Sequence, residues 1–546
     1  MKTLQKAAIV LVCLISLNGL HAQQGYNGSI LPLKPQSPLF GKDIVIHDSS
    51  AQNQGQVAIC SAFNGWLYSV YSYSSALNTA STTVLRSKDG GLTWSIILDV
   101  HWPMNNSVLL SLDIAVTGDS ISNLKVVLAA VLTQSNLQTG MGSLYVVQFN
   151  GNNGENGKPL LNDSGYCVSL ATDLPFPSNL SHPESLGVIL SKHSPTGSQK
   201  DSVIFYSSST GDSLDNKKII AVTSNHRYRK VSLAYGRSPS WPLGNYFAVW
   251  EQRDSFDADT ANIFIAHTTS GINSPFTPSV QLDNLDPLTN GKARNPVIAC
   301  QSNNIDNDSA NMTEVVLVEK YIPSSHQYDL EGFYNLQAAN HDYFNKMIVS
   351  NPVHYNLQPS IDFNPYDSTF MATFYDSTTR KLPFITNNFN LINPDFWQYI
   401  SVGYNDSLDL AKPYPKVKLD IAQQQGVNVW SEEGVGGNGI ALFDAPFSTW
   451  TGIPNENNLT DYQALKVYPN PCLSVINIDF SLNVPCFVKI YLINQFGQQV
   501  GDISEKYYQL GQTSLKFDIS NYPSGCYLIS FSYGTNYQSK KIIISK

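Results

Sequence analysis

The sequence predicts an all-β chain, and three observations carry that reading. Apolar runs of strand length recur as a worn repeat between residues 43 and 450. Only 14% of residues are charged while 11% are aromatic, so the repeats need a covered core and are joined by uncharged polar loops. From residue 464 to 546 the repeat gives way to closely spaced alternating strands. The middle is too long for one simple sandwich, and each repeat is too short to cover both of its own faces. Packing such meanders around an axis solves both problems, so the prediction is a seven-bladed β-propeller followed by a small Ig-like β-sandwich. The count leaves six or eight blades open.

The repeat is read from matched strands. Lys230–Leu233, Pro296–Ala299, Pro359–Asp362 and Pro415–Lys418 open units, each introduced by Pro or a basic residue. Second strands follow at Phe247–Trp250, Val315–Val318, Met371–Tyr375 and Val427–Trp430, and third strands at Ile263–Ala266, Leu382–Ile385 and Ile440–Phe443. Gln56–Val100, Val108–Leu161 and Tyr166–Val222 fit the same template. The last unit lacks a fourth strand after Phe443, and residues 43–47 can supply it and close the ring.

Ser87-Lys88-Asp89-Gly90-Gly91-Leu92-Thr93-Trp94 has residues that make a self-bonded turn. The Asp carboxylate accepts from turn amides, Gly permits a positive φ and Trp wedges under the sheet. This string, with Ser87, Asp89, Gly91 and Trp94 in place, resembles the Asp-box of sialidase-like propellers. Ser207–Leu214 looks like an eroded copy, and His267–Phe276 and Thr386–Trp397 are fainter. The resemblance implies a turn between strands three and four, on the face opposite the usual ligand site. It does not carry the activity over. Such enzymes clamp the substrate carboxylate with three arginines, the first well before the first Asp-box. Here no arginine lies between Ala22 and Arg86. Arg227, Arg229, Arg237, Arg253, Arg294 and Arg380 are the remaining candidates, and Arg294 is the one whose place at a strand start can aim it into an axial pocket. No nucleophile elbow, His-Glu-x-x-His or P-loop string is present.

A repeated acid stands out instead. Second strands end at Glu251, Glu319, Asp376 and, one residue late, Glu432, beside aromatics such as Trp250, Tyr321, Tyr375 and Trp430. Acid beside aromatic suits a sugar, so Glu251, Arg294, Glu319, Asp376, Trp430 and Glu432 are the ligand-face candidates. Solvated loop mouths with strand-end aromatics are the competing reading. Asp254, Asp257 and Asp259 form an oxygen-rich loop that can hold calcium.

The tail contains Tyr468-Pro469-Asn470-Pro471, the Phe496-Gly497 turn, Gly525-Cys526-Tyr527 and a final strand beginning Lys540-Lys541. In this order the motifs resemble the C-terminal sorting domain of type IX secretion cargo. The resemblance implies export through the periplasm, with the type IX translocon and its sortase as partners and a destination outside the cell or on the outer-membrane surface. The front end agrees. Lys2 and Lys6 precede the apolar run Ala7–Leu17, too short to span a bilayer, and Ala22 offers a small residue for cleavage. The expected organisation is therefore a signal peptide at 1–22, a lead-in at 23–42, the propeller at 43–450, a linker at 451–463 and the sorting domain at 464–546. No later stretch reaches transmembrane length. Loss of Lys2 and Lys6 moves the net charge from −9 to −11, which argues against nucleic acid and anionic membranes as partners. Cys60, Cys167 and Cys300 read as buried thiols. Cys472, Cys486 and Cys526 share the tail, where one disulfide among them is open.

The sequence thus points to a secreted or surface-tethered propeller that binds a glycan or surface polymer without catalysis. A sialidase-like glycoside hydrolase or a polysaccharide lyase is one alternative, and a structural component of an adhesive or motility layer is another.

Overall fold

A computed structural model describes residues 43–49, 55–74, 80–102, 107–118, 121–134, 142–173, 185–193, 201–238, 241–255, 261–282, 293–301, 312–336, 344–349, 354–365, 368–387, 397–401, 413–421, 425–433, 439–445, 465–482, 486–494, 499–508, 511–533 and 536–546. The proposed signal peptide, the lead-in and the linker lie outside them. The described residues fall into two compact units, one within Phe40–Pro446 and the other within Phe447–Lys546.

The first unit contains seven four-stranded antiparallel sheets. The first sheet runs Val57–Ser61, Leu67–Ser74, Ala80–Ser87 and Ser95–His101, and the second Ser107–Thr117, Lys125–Gln134, Gly142–Asn150 and Lys158–Gly165. The third takes Cys167–Thr172, Leu186–Lys192, Asp201–Ser208 and Asn216–Thr223; the fourth takes Arg227–Ser238, Trp241–Arg253, Asn262–His267 and Val280–Gln281. The fifth takes Ala293–Cys300, Glu314–Ile322, Gln327–Asn335 and Asn345–Ile348; the sixth takes Asn356–Asn364, Thr369–Asp376, Phe384–Asn387 and Gln398–Ser401. In the seventh, Lys416–Asp420, Gln425–Glu433 and Gly439–Asp444 are completed by Ile44–Ser49, which pairs with Gly439–Asp444 from Ile44 opposite Phe443 to Ser49 opposite Gly439.

Each sheet's first strand packs beside the first strand of the next, and Val57–Ser61 packs beside Lys416–Asp420. The ring is closed, and the unit is a β-propeller. Burial explains the composition of the strands. Lys125–Gln134 is buried at nearly every position because both faces are covered, and it reads as a continuous Val/Leu/Ala run. Outer strands such as Ser95–His101 alternate exposed and half-buried residues. A separate hydrophobic cluster fills each junction from first–second to sixth–seventh.

The Asp-box forms the turn between strands three and four of the first sheet. Ser87 Oγ accepts from Gly91 N (2.8 Å), Asp89 accepts from Thr93 N (2.9 Å) and Thr93 Oγ1 (2.6 Å), and Trp94 Nε1 donates to Gly91 O (2.9 Å). The Trp94 ring meets Phe443 of the seventh sheet edge-on, 5.3 Å between centroids. Gly91 has φ +94, and a Cβ there would stand 2.1 Å from the Phe443 ring. The eroded copies occupy the same turn. Ser208 Oγ accepts from Gly211 N (2.9 Å; φ 69) in the third sheet, and Asn245 Oδ1 accepts from Gly271 N (2.7 Å; φ 113) in the fourth. Thr386–Trp397 lies largely outside the described residues.

The second unit has a three-stranded sheet (Lys466–Tyr468, Val475–Leu482, Gly511–Asp518) and a four-stranded sheet (Gln499–Tyr508, Cys486–Ile493, Gly525–Tyr533, Asn536–Ile544). Ile476, Ile478 and Phe480 from one, and Val488, Ile490, Ile529 and Ile542 from the other, share one core. The Tyr468–Pro471 turn, with cis bonds before both prolines, clips the last strand. Asn470 Nδ2 donates to Lys541 O (2.9 Å), and Asn470 Oδ1 accepts from Ile543 N (2.8 Å). Tyr468 Oη donates to Asp479 (2.7 Å) and Tyr527 Oη to Pro523 O (3.1 Å). Gly525 opens its strand, Lys540 and Lys541 are exposed on the last one, and Gly497 lies outside the described residues. Cys472 and Cys526 are free thiols, as are buried Cys60, Cys167 and Cys300; the Cys486 side chain is outside the described residues.

Two stability predictions follow from this packing. Gly91→Ala lowers the thermal midpoint, because a Cβ at positive φ strikes an aromatic ring across the closing junction; the expected cost is about 2 kcal/mol, read by calorimetry. Glu314, fully buried in the fifth sheet with Asn335 Nδ2 at 3.2 Å, has its pKa pushed by burial from 4.5 up to about 8. A raised folded pKa stabilises fully below pH 4.5, and that contribution is lost as pH rises to 8. Glu314→Gln therefore flattens the fall in stability between pH 5 and 8.5, measured by urea unfolding at each pH.

Candidate functional site

The first strands surround an axial cavity of about 170 Å³, lined by residues from all seven sheets. Its wall is polar because inner-strand side chains bond the backbone of the next sheet. Asp113 Oδ2 accepts from Leu170 N (2.8 Å), Ser169 Oγ from Leu233 N (3.3 Å), and Ser232 Oγ from Ile298 N (3.3 Å). Farther round, Ser360 Oγ accepts from Val417 N (3.1 Å), Asp362 Oδ2 from Leu419 N (2.8 Å), and Ser61 Oγ from Ile421 N (3.4 Å). Lys418 Nζ reaches Asp362 Oδ1 at 3.1 Å. Burial raises the Asp113 pKa against the pull of the Leu170 amide and of Lys416.

At the face where first strands begin and second strands end, the repeated acids take a structural role. The first strands of the fifth and sixth sheets bulge between Arg294 and Val297 and between Leu357 and Ser360; Asn295 and Gln358 there, and Tyr414 just before the seventh sheet's first strand, have φ of 51, 54 and 46, each directly before a proline. The kink aims the backbone N–H back at the preceding sheet. Glu251 accepts from Asn295 N (2.5 Å) and Glu319 from Gln358 N (2.8 Å). Asn295 Nδ2 donates on to Glu319 (2.7 Å), and Gln358 Oε1 accepts from Tyr414 N (3.0 Å). One chain of bonds laces the fourth, fifth, sixth and seventh sheets.

The six ligand-face candidates accordingly part company. Glu251 and Glu319 are buried, and they pair with Arg253 Nη2 (2.8 Å) and Arg294 Nε (2.8 Å). They are neither solvated loop ends nor free ligand groups. Arg294 lies against Glu319 with its guanidinium 3.5 Å over the Tyr328 ring, and it does not line the axial cavity. Asp376 serves its own turn, accepting from Thr378 N (2.9 Å), Thr379 Oγ1 (2.6 Å) and His354 Nδ1 (2.7 Å). Trp430 is fully buried between the sixth and seventh sheets and offers no face to a sugar, and Trp250 is core as well. Glu432 pairs through its backbone with Ile440, and its side chain is outside the described residues. Of the proposed calcium loop, Asp254 is exposed, 3.4 Å from His226 Nδ1, and Asp257 and Asp259 lie outside the described residues.

The arginines are also engaged. Arg227 pairs with Asp201 (2.8 Å), Arg237 with Asp173 (2.7 Å), and Arg229 Nε donates to Tyr166 Oη (2.7 Å). The groups that sequence reasoning missed are lysines. Lys416 and Lys418 read only as polar letters at a strand start. Their place on the cavity wall depends on ring closure, which no local pattern encodes.

Residues 466–545 match the family model of the secretion system C-terminal sorting domain. This segment is a type IX sorting domain. The chain is thus addressed to the cell surface or the extracellular space, and no helix among the described residues is long and apolar enough to cross a membrane. No curated protein matches the chain. Among solved structures, a protein of unknown function from Dyadobacter fermentans DSM 18053 is similar at 11% identity and TM-score 0.40, over 74% of this chain and 98% of that one. Trypanosoma rangeli sialidase in complex with sialic acid is similar at 10% identity and TM-score 0.37, over 93% and 87%. The β-propeller domain of the Trilobed protease from Pyrococcus furiosus, described as having an open velcro topology, is similar at 8% identity and TM-score 0.37, over 72% and 93%.

The lacing gives a direct prediction. Glu319→Ala strands Arg294, Asn295 and the Gln358 amide at once, and it costs ~3 kcal/mol or more. Asp254→Ala, at an exposed site, leaves the thermal midpoint within about 1 °C on the usual scale for surface changes. Equal midpoints for the two variants in differential scanning calorimetry would remove the lacing role.

Proposed function

We propose that this is an exported, seven-bladed β-propeller that binds a glycan or surface polymer without turning it over, at the mouth of its axial cavity. Its proposed boundaries are residues 43–450 for the propeller and 464–546 for an Ig-like sorting sandwich. The observation that carries the reading is the state of the carboxylates. Glu251, Glu319 and Asp376 at second-strand ends, and Asp113 and Asp362 on the cavity wall, each accept from backbone amides, and most also pair with a cation. Most glycosidases use two carboxyl groups free to exchange a proton and attack a sugar carbon, and acids held this way act as scaffolding.

A second reading, a glycoside hydrolase, has one observation in its favour. On the same face the buried His193 sits 3.0 Å from Asp201 and edge-on to Tyr166 at 5.2 Å, an arrangement that can orient a base. A glycan array run beside a panel of chromogenic glycosides separates the two. The expected result is retention of at least one glycan with no chromophore released. Turnover of any glycoside overturns the non-catalytic reading, and retention of no glycan overturns the binding one.

A further inference from the structure

The lacing of the fifth, sixth and seventh sheets uses only part of each group that makes it. Glu319 gathers three donors: Arg294 Nε (2.8 Å) on one oxygen, and Asn295 Nδ2 (2.7 Å) and the Gln358 N–H (2.8 Å) on the other. Gln358 Oε1 then receives the Tyr414 N–H (3.0 Å). Among the described residues the side chains of Arg294, Asn295, Gln358 and Tyr414 make no other hydrogen bond. Left over are both Nη groups of Arg294, Oδ1 of Asn295, Nε2 of Gln358 and Oη of Tyr414. Asn295, Gln358 and Tyr414 each stand two residues before the point where their stretch begins to line the axial cavity, at Val297, Ser360 and Lys416. The leftover groups therefore follow one arc of the cavity rim. Arg294, Asn295 and Gln358 are half-buried there, and Tyr414 is 37% exposed. Tyr414 is the telling member. The lacing needs only its N–H and its left-handed backbone (φ 46), which glycine would supply without strain. Its side chain makes no hydrogen bond and no ring contact among the described residues. The scaffold thus accounts for the backbone at this position and not for the phenol.

We propose that Arg294, Asn295, Gln358 and Tyr414 form a saccharide subsite on this rim, and that its ligand is an uncharged pyranose. This rests on, and narrows, the glycan-binding reading above. A sugar hydroxyl both donates and accepts. The rim offers both along its length: a guanidinium fork that donates, an amide oxygen that accepts, an amide NH2 that donates and a phenol that does either. Glu319 and the ring of Tyr328, 3.5 Å from the guanidinium carbon, fix the plane of Arg294, so its fork is set before a ligand arrives. The same Glu319 answers the charge of Arg294, as Glu251 answers Arg253, so neither arginine favours an acidic sugar over a neutral one. The exposed Tyr414 ring gives an apolar face to the C–H side of a pyranose, and its hydroxyl adds a polar tip. Lys416 lines the cavity two residues further along, so acidic sugars belong in the test.

The test is isothermal titration of the full chain with cellobiose, mannobiose, galactobiose, digalacturonate, glucose 6-sulfate and any neutral glycan that the array retains. The variants are Tyr414→Gly, Tyr414→Phe and Arg294→Lys, with Leu92→Ala, at an exposed position of the Asp-box turn, as the control. At least one neutral sugar is expected to bind the parent and Leu92→Ala alike. Tyr414→Gly and Arg294→Lys each weaken it about tenfold or more, and Tyr414→Phe keeps most of the affinity because the ring remains. In calorimetry Tyr414→Gly stays folded with a midpoint within about 2 °C of the parent, since relief at positive φ offsets the added freedom of the unfolded chain. Neutral-sugar binding that survives both Tyr414→Gly and Arg294→Lys overturns this subsite and leaves the glycan reading standing. Binding confined to digalacturonate or glucose 6-sulfate overturns the assignment to an uncharged ligand. A Tyr414→Gly midpoint well below that of the parent makes the phenol part of the scaffold and overturns the subsite as well. Retention of no sugar by the folded parent, on the array or in titration, removes the glycan reading itself.

Discussion

The architecture depends on one non-local contact, the pairing of Ile44–Ser49 with Gly439–Asp444. An open ring of sheets would leave two unpaired edges and two uncovered apolar faces, each a template for association. A strand borrowed from the far end of the sequence completes the seventh sheet, and Val57–Ser61 packing on Lys416–Asp420 covers the facing surfaces. The junction it completes is also where the best-formed Asp-box sits, with Trp94 against Phe443 and Gly91 leaving room for that ring. The most faithful copy of the motif thus guards the seam, while the eroded copies occupy junctions between sheets that are continuous in sequence.

Closure also explains why the centre is polar. Seven first strands converge, and their amides and side chains cannot all be covered by apolar neighbours. The sequence answers with Ser and Asp at alternate inner positions, each bonded to the next sheet. These bonds act as a collar inside the hydrophobic junctions. The same solution commits oxygens of Asp113 and Asp362 to bonds that hold the scaffold.

Much of the scaffold was legible before any coordinates. Strand-length Val/Leu/Ala runs, Pro-led openings and the missing fourth strand of the last unit mark the elements, because burial on both faces leaves a strong local trace. The sorting segment was legible for a different reason: its motifs are short, ordered and close together. The site was less so. Glu251 and Glu319 recur at the right place, but their partners are backbone amides more than thirty residues onward, presented by positive-φ residues that the sequence marks only through a following proline. Trp430 looked like a ligand platform because strand alternation does not say which neighbour a residue faces once both faces are buried. Lys416 and Lys418 line a cavity that only the closed ring creates.

The order of the strands has a consequence in time. The propeller's outermost closing strand is among its first residues, and the sheet it completes is its last. A chain synthesised from its N-terminus therefore holds Ile44–Ser49 without its partner strand until residue 444 has been made. The sorting segment begins only some twenty residues later. Closure thus waits on synthesis of nearly the whole propeller, and the sorting segment follows almost at once.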